Sequence, residues 1–532
     1  MHKNGWILIL GGGVMQLPAI QAARKLRLGV AVADGNDQAP GVALSDRFFH
    51  TDLKDGEALL RDARRIAQEE GTLRGVFTAG TDFAYTVALL TDRLGLPGHS
   101  YKAALRATEK HLMRRVLSEA GVPVPRFVSA GDSGRETRRR ALTEVGLPLV
   151  VKPVDSMGAR GVRKVTSEDD LSPAIESALD LSRSRCVILE GVIPGRELSL
   201  DALTWDGKIV VTGVADRHIC FEPYFIEIGH TMPTSLPEAE RTRVEEVFRR
   251  GIEALGLTHG AAKGDIFLGP EGPVVGEIAG RLSGGYMSGW TYPYASGIDL
   301  TEAAVRLAIG EEPGLPSVPR EDNVSSERAV ISLPGRVATI RGLPAARKAP
   351  GVRELFWKVR EGEDVTFPRN NVEKCGNVIV AAKTPEESLR RVEGALDLID
   401  VRLEAGRRET WDWLFGPGVP SSHWAFRRSF EAFPDLDDLS WDIPDSLTAV
   451  GGFFAGDRIR EVDWHGRTVD GVVARLLAEY RLEQRPRGEG GLEAVFWQAV
   501  LRGSLQAGAF VLDTIREYPD RVRAWLDDES LR

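Results

Sequence analysis

Residues 150–162 read Val-Val-Lys-Pro-Val-Asp-Ser-Met-Gly-Ala-Arg-Gly-Val. A short apolar run, typical of a buried strand, leads to Lys152, and a loop of small residues follows at once. Such a loop presents an ammonium group and free backbone N–H groups, which suit a polyphosphate. Gly158 and Gly161 allow the backbone to approach phosphates closely, and Arg160 adds positive charge. Because the lysine precedes the glycines, this is not a Walker A loop, and alone it is equally typical of an exposed surface turn.

Two glutamates flank the next strand signal along the chain. The apolar run Val187-Ile-Leu ends in Glu190, and Glu197 follows seven positions later. The end of such a strand can offer backbone N–H and C=O groups to an adenine edge, while Glu197 binds the two ribose hydroxyls. The alternative for Glu197 is a solvated strand residue.

A second pair of carboxylates lies on two strands predicted to be neighbours. Asp265 and Glu277 stand on either side of the turn Gly269-Pro-Glu-Gly-Pro273. Facing oxygen ligands from adjacent strands suit Mg²⁺ that bridges phosphates. Two acidic residues on a wet face are the weaker interpretation, because like charges directly opposite each other destabilise a sheet unless a cation separates them.

Length and composition limit the number of domains and the classes of partner that the chain can have. A chain of 532 residues predicts three to four domains at about 150 residues each. With 68 Lys and Arg against 77 Asp and Glu, the net charge of −9 offers no global basic field for nucleic acid or anionic lipid. Three cysteines without disulfide or zinc spacing favour a reducing, cytoplasmic compartment. No apolar run approaches the roughly 20 residues of a membrane span.

The chain begins with alternating apolar runs and amphipathic stretches, typical of parallel β-α-β units. The Gly11-Gly-Gly13 turn and Asp34 suggest a dinucleotide fingerprint, but Gln16 replaces its third glycine. We favour a tight strand-to-helix turn. Residues 104–121, which include Lys110, predict one helix.

The C-terminal part differs in composition from the rest. Seven of the eleven tryptophans follow residue 410. They could form a platform for stacking sugars or bases, but in a compact segment tryptophans are more often core or interface residues, which is the interpretation we favour.

A set of elements in chain order resembles the ATP-grasp superfamily between about residues 5 and 405. The elements are Lys110, Lys152 with its loop, the Glu190 to Glu197 segment, Asp265 and Glu277. The resemblance implies an α/β and α+β multidomain chain. Its parts are a Rossmann-like pre-ATP-grasp domain (1–108), an ATP-grasp domain (109–315, glycine-rich loop 155–162), a lid-like α+β domain (325–408) and a C-terminal extension of unassigned role (411–532). In this family the first domain normally binds no dinucleotide, which argues against a dehydrogenase.

The resemblance also implies which residues bind ATP. They are Lys110 and Lys152 at the α- and β-phosphates, Ser156, Gly158 and Gly161 over the terminal phosphates, Glu190, Val192 and Ile193 at adenine, and Glu197 at the ribose. Glu190 and Val192 would contribute backbone groups, and Ile193 would pack on the base.

The expected metal and catalytic residues lie in the second half of the ATP-grasp domain. The resemblance implies Mg²⁺ or Mn²⁺ at Asp265 and Glu277, Arg281 at the acyl phosphate, and Lys263 near the transferred phosphoryl group. The asparagine that many relatives use as a metal ligand is Ala279 here, so the sequence leaves open whether one or two metal ions bind.

Within the superfamily, the layout resembles the L-amino-acid ligase and carnosine-synthase-like group. Residues 225–234, 277–285 and 349–382 carry this resemblance. It implies an ADP-forming carboxylate–amine ligase that works through an acyl phosphate on amino-acid-like small molecules. The acceptor and acid pocket would then include Arg281, together with Glu227, His230 and the Ser283-Gly-Gly285 turn.

Two other functions stay open from the sequence. One is a bicarbonate-activating carboxylase or carbamoyl-phosphate-type enzyme, and the other is a non-catalytic ATP-binding module. The expected partners are a small-molecule carboxylate and an amine, with neither nucleic acid nor membrane. A homodimer is an option that the sequence does not decide.

Overall fold

The computed structural model describes residues 3–156, 158–315, 323–416, 418–427, 461–481 and 492–526. The chain divides into two compact units. The first comprises Met1–Ile219, Gly229–Ser326 and Ala381–Pro385, and the second comprises Cys220–Ile228, Glu327–Val380 and Glu386–Arg532. The four-part division proposed from the sequence stays a prediction. Among the described helices, none combines the length and apolar character needed to cross a membrane.

A four-stranded parallel sheet begins the first unit, in the order β3-β2-β1-β4. Its elements are β1 (Trp6–Leu10), α1 (Leu17–Lys25), β2 (Gly29–Asp34), β3 (Arg47–His50), α2 (Gly56–Glu69), β4 (Leu73–Phe77) and α3 (Ala84–Leu94). The carboxylate of Asp34 accepts a hydrogen bond from the Gly12 N–H at 2.6 Å. Because this acid holds the turn after β1, the predicted tight strand-to-helix turn is confirmed.

Two helices replace the single helix predicted over residues 104–121. They are α4 (Tyr101–Thr108) and α5 (Lys110–Glu119). Glu109 breaks the helix because its backbone is extended, with φ −84° and ψ 106°. The N–H of Lys110 donates to the carbonyl of Val154 at 3.2 Å. The break therefore places Lys110 at the beginning of α5, beside the residues that follow the Lys152 strand.

An antiparallel sheet in the order β5-β8-β6-β7 carries the glycine-rich loop. Its elements are β5 (Phe127–Ala130), α6 (Arg135–Arg140), β6 (Leu149–Pro153), β7 (Arg163–Val165), α7 (Leu171–Leu181) and β8 (Val187–Gly191). The loop joins β6 to β7 at one edge of the sheet. Helix α7 buries an apolar face that includes Leu171, Ile175 and Ala178.

Longer strands follow in the order β13-β12-β9-β10-β11, and the pairs β13-β12, β12-β9 and β9-β10 are antiparallel. The elements are β9 (Arg196–Trp205), β10 (Lys208–Cys220), β11 (Ile226–Met232), α8 (Glu238–Leu255), β12 (Gly260–Gly269), β13 (Gly272–Ala279), α9 (Tyr292–Ser296) and α10 (Leu300–Ala308). Helix α8 packs on β12 and β13 through buried side chains such as Phe248 and Ile252. This packing fixes the two strands that carry Asp265 and Glu277.

The second unit contains two groups of strands, β14-β18-β16 and β17-β15-β19. Its elements are β14 (Val324–Val330), β15 (Gly335–Arg341), α11 (Leu343–Lys348), β16 (Val352–Trp357), β17 (Asp364–Val365), β18 (Gly376–Ala382), α12 (Pro385–Asp397), β19 (Asp400–Leu403), α13 (Arg408–Phe415), α14 (Val469–Glu479), α15 (Leu492–Glu517) and α16 (Pro519–Leu526). The first residues of β14 and the last of β18 belong to the first unit.

The C-terminal helices share one hydrophobic core with the strands of the second unit. Trp411 is 1 % exposed and packs in a cluster with Leu333 and Leu403. Gln506 accepts a hydrogen bond from the Leu333 N–H at 2.8 Å, which joins α15 to the segment that follows β14. The expectation that tryptophans serve as core residues is confirmed for Trp411 and for Trp497, whereas Trp441 lies outside the described residues.

We predict that Trp411→Ala lowers the unfolding free energy of the second unit by about 3–5 kcal/mol, because it leaves a large cavity. Denaturant unfolding followed by near-UV circular dichroism measures this change. Leu398→Ala is the control, since Leu398 is 41 % exposed, and its loss should cost well under about 1 kcal/mol. Equal effects of the two substitutions would contradict a core role for Trp411.

Candidate active site

The register of β12 and β13 places two carboxylates directly opposite each other. Asp265 pairs with Glu277, and Lys263 pairs with Ala279 two residues further along the strands. The strands are joined by a tight turn between Gly269 and Gly272. The structure therefore brings together the two residues expected at the metal, and like charges in this position require nearby cations.

Four cations surround Glu277. The Nζ of Lys110 lies 4.0 Å from Glu277 Oε2. Burial by itself would raise the pKa of the Glu277 carboxyl, but the charges of Lys110, Lys263, Arg281 and Lys152, in decreasing order, outweigh burial and lower the pKa to about 2. Glu277 is therefore a carboxylate at any physiological pH, as a metal ligand must be.

Asp265 has one satisfied oxygen and one free oxygen. Its Oδ2 contacts Lys263 and lies 3.3 Å from Nη1 of Arg217 on β10. Its Oδ1 is buried and has no hydrogen-bond partner among the described residues. A buried acceptor without a donor is costly unless a ligand satisfies it. The pair thus fits a hard cation, whose preferred ligands are oxygens.

Lys152 pairs with a buried glutamate. Its Nζ donates to Glu190 Oε2 at 2.6 Å, and Arg114 of α5 binds the other carboxylate oxygen. Burial would raise the pKa of Glu190, but Arg114 and Lys152 lower it to about 2. Since Glu190 is only 2 % exposed, this carboxylate fixes both cations from inside the fold.

This arrangement alters the role predicted for Glu190. The residue lies in the central strand β8 and is paired with Phe127 of β5 and Val150 of β6. Its backbone is therefore enclosed by neighbouring strands and is not available to a purine. Its side chain instead positions Lys152 and Arg114.

The glycine-rich loop 155–162 is described except for Met157. Lys110 Nζ donates to the carbonyl of Ser156 at 2.8 Å. Gly161 has φ +72°, and a Cβ there would meet Pro153 at 2.9 Å, so glycine is required. Gly158 also has positive φ, but a Cβ would meet nothing within 4 Å. The space beside Gly158 is open, as a phosphate cradle requires.

The residues expected at adenine and ribose follow β8. Val192 N–H lies 3.4 Å from the carbonyl of Pro148, a long contact, and Ile193 is half-buried. Glu197 is the second residue of β9, and its Oε2 lies 3.3 Å from Nη1 of Arg217. Arg217 thus contacts both Glu197 and Asp265, which links the predicted ribose and metal positions.

Arg281 lies after β13 and is 6 % exposed, and its Nη1 donates to the carbonyl of Leu282 at 2.8 Å. The turn that follows is held by Asp201 of β9. Asp201 accepts from Ser283 N–H at 2.8 Å and from Ser288 Oγ at 2.6 Å. The fully buried Asp201 therefore fixes the backbone next to Arg281.

The two residues expected near the acceptor fall in different compact units. His230, in the first unit, is buried, and its Nε2 lies 2.7 Å from Thr291 Oγ1. Glu227, in the second unit, donates its backbone N–H to Asn371 at 2.9 Å. Their role in an acceptor pocket stays a prediction.

Comparisons with known proteins agree with this geometry. Residues 145–289 match the ATP-grasp domain, and residues 329–404 match the L-amino acid ligase C-terminal domain 2. The chain therefore contains an ATP-grasp domain. Its ATP-grasp region contains both carboxylates, Lys152 and Lys263, whereas Lys110 precedes the matched residues.

Two relatives illustrate the similarity. Carnosine synthase 1 of Gallus gallus is 29% identical over 425 residues, which cover 74% of this chain and 44% of that protein. The chain thus spans about half the length of the carnosine synthases it matches. An uncharacterised protein, y4rH, of Sinorhizobium fredii is 26% identical over 72% of this chain and 79% of its own length.

Among solved structures, L-amino acid ligase from Bacillus licheniformis superposes with a TM-score of 0.66. The match is 21% identical and covers 76% of this chain and all of that one. This level of identity supports the shared fold.

Several residues of this ATP-grasp site were not predicted from the sequence. They are Asp82, Arg114, Asp201 and Arg217. Arg114 had a usable signal, because it lies four residues after Lys110 and so on the same face of a helix. Asp82, Asp201 and Arg217 come near the site only through strand pairing and loop contacts between residues far apart in the sequence.

We predict that Glu190→Gln destabilises the first unit by about 3–5 kcal/mol at neutral pH, because Arg114 loses its buried partner. The pKa of Glu190 falls from 4.5 on folding to about 2. Its stabilisation is therefore present above pH 4.5 and is lost as the pH falls towards 2. The unfolding free energies of wild type and variant, measured with urea, should therefore converge as the pH falls from 4.5 to about 2.

Glu238→Gln is the matched control, because Glu238 is exposed at the start of α8. Its unfolding free energy should follow that of the wild type at every pH. A constant difference between wild type and Glu190→Gln down to the lowest pH would contradict the ion-pair assignment.

Proposed function

We propose that the chain is an ATP-dependent, ADP-forming ligase that joins a carboxylate to an amine through an acyl phosphate. The observation that carries this proposal is the facing pair Asp265 and Glu277 within a group of lysines and arginines. Phosphoryl transfer requires carboxylates that hold a divalent cation. It also requires positive side chains that bind the polyphosphate. The match to the L-amino acid ligase C-terminal domain supports amino-acid-like substrates.

ATP would lie along the residues that end β6, β8 and β12. Lys110 and Lys152 would hold the α- and β-phosphates, and the loop with Ser156, Gly158 and Gly161 would cover the terminal phosphates. The ion pair with Glu190 orients Lys152 before ATP arrives, so less ordering is needed on binding. Val192 and Ile193 would contact adenine, and Glu197 the ribose.

Mg²⁺ would be held by Asp265 and Glu277. When bound, it would neutralise phosphate charge and orient the terminal phosphoryl group. The unsatisfied Oδ1 of Asp265 supports this assignment. The described residues contain no group of three His, Cys, Asp or Glu side chains arranged for a metal, so the assignment rests on the pair Asp265 and Glu277.

The reaction would proceed in two displacements. A carboxylate oxygen attacks the γ-phosphorus, the bond to the β-phosphate oxygen breaks, and ADP leaves. The amine nitrogen then attacks the acyl carbon, inorganic phosphate leaves, and the nitrogen loses a proton. Arg281 and Lys263 would neutralise the charge that develops on the transferred phosphoryl group. The backbone held by Asp201 keeps Arg281 in place.

We expect the wild-type protein to release ADP and phosphate with pooled proteinogenic amino acids, β-alanine, ATP and Mg²⁺. Mass spectrometry should detect a product equal to acid plus amine minus water. Lys152→Met should lower turnover by about 100-fold or more, because a phosphate contact is lost. Lys208→Met, at an exposed position of β10, should keep full turnover.

Other outcomes would contradict this function. Phosphate release that needs bicarbonate and no amine would indicate a carboxylase or carbamoyl-phosphate-type reaction. ATP binding without turnover on any pool would indicate a non-catalytic module.

We also expect Glu277→Gln to remove the Mg²⁺ dependence of ATP affinity. In the wild type, Mg²⁺ should tighten ATP binding at least about tenfold, or 1.4 kcal/mol. Isothermal titration with and without Mg²⁺ measures this ratio. Glu271→Gln, at the exposed turn between β12 and β13, is the matched control, and an unchanged ratio in Glu277→Gln would remove Glu277 from the metal site.

A further inference from the structure

The loop between β4 and α3 contacts the backbone beside Arg281. A Cβ placed on Gly80 would lie 3.0 Å from the Cα of Gly284, and one placed on Gly284 would lie 3.2 Å from the carbonyl oxygen of Gly80. Only glycines allow this approach. The loop of the parallel sheet is therefore packed against the turn that follows Arg281, and it brings Asp82 to the site.

Asp82 lies among the charges expected to act on the substrate and ATP. Its Oδ2 is 3.3 Å from Nη2 of Arg160, on the glycine-rich loop. Burial raises the pKa of Asp82, Arg281 and Arg160 oppose that rise, and Glu277 adds to it. Arg281 and Glu277, the predicted acyl-phosphate and metal residues, are thus among the charges that act on Asp82.

The other oxygen of Asp82 is buried and has no donor. Among the described residues, only two buried carboxylate oxygens lack a hydrogen-bond partner: Oδ1 of Asp82 and Oδ1 of Asp265. The proposed Mg²⁺ would satisfy Oδ1 of Asp265. Because a buried acceptor is costly when unpaired, Asp82 Oδ1 needs a donor that the described part of the chain does not supply.

We propose that Asp82 binds the ammonium group of the amino-acid substrate whose carboxylate is phosphorylated. This inference rests on the proposed ligase function and names its acid substrate as a zwitterion. An ammonium group has three donors and no acceptor, so it matches a carboxylate oxygen. Arg281 binds the carboxylate end of the same small molecule, and Asp82 binds the ammonium end.

This arrangement predicts discrimination against acids without an amino group. A des-amino analogue would leave Asp82 buried and unpaired, and a site built to pair with a substrate group rejects the analogue that lacks it. The amine that attacks in the second step does not need this contact. Asp82 is therefore a specificity residue for the activated acid.

The test compares amino acids with their des-amino analogues. The pairs are L-alanine and β-alanine against propionate, and L-phenylalanine against 3-phenylpropionate, titrated into the full-length protein with Mg²⁺ and the ATP analogue AMP-PNP. We expect the wild type to prefer the amino acids. Asp82→Asn should weaken their binding by about 10- to 100-fold, because a charge-assisted hydrogen bond is lost, and leave propionate and 3-phenylpropionate unchanged.

Two further variants distinguish the loss of the Asp82 Oδ1 contact from the loss of the Arg160 ion pair and from a general change in charge. Arg160→Met breaks the ion pair with Asp82 but leaves Oδ1 in place, so it should keep the preference for amino acids. Asp92→Asn, at an exposed position of α3, should behave as the wild type. An equal loss for both members of each pair in Asp82→Asn, or no wild-type preference, overturns the proposal.

Turnover measurements distinguish this inference from the proposed function. If the wild type binds amino acids in an Asp82-dependent manner but forms no product, the ligase function fails and the ammonium site stands. If product forms and Asp82→Asn lowers kcat with every acid while the preference persists, the ligase function stands. Asp82 would then act on the attacking amine, and the ammonium site would be wrong.

Discussion

Two carboxylates that face each other across neighbouring strands are the constraint around which the first unit is built. Asp265 and Glu277 repel each other where β12 and β13 pair. The chain meets this repulsion by supplying cations from separate elements: Lys110 from α5, Lys263 from β12 and Arg281 from the turn after β13. The surplus of positive charge around the pair makes the site suitable for a polyanion.

Two further acids, both buried, hold positively charged side chains of the site in place. Glu190 binds Lys152 and Arg114 inside the β8 sheet, and Asp201 holds the turn beside Arg281. Both acids are buried and paired, so removing either partner leaves an unsatisfied charge. The site is thus rigid at its cationic positions, whereas the open space beside Gly158 leaves room for phosphate.

The second unit shows what composition leaves open about the C-terminal residues. Their tryptophan-rich, helical sequence differs from the strand-rich sequence before them, so from composition they resemble a separate segment. In the structure, Trp411 and Phe510 pack with Leu333 and Leu403 in one core. A helix with one apolar face must bury that face somewhere, but the sequence does not say against which strands.

Spacing along the sequence predicts the features that depend on residues close together in the chain. These are the parallel β-α-β start, the loop after Lys152, and the two strands that carry Asp265 and Glu277. Other features depend on the tertiary structure: the ion pairs of Glu190, the helix break at Glu109, and the packing of the loop that carries Asp82 against the turn after Arg281. The physical reason is distance along the chain: periodicity reports which face of an element is buried, whereas an ion pair such as that of Arg114 with Glu190 joins residues 76 positions apart and depends on topology.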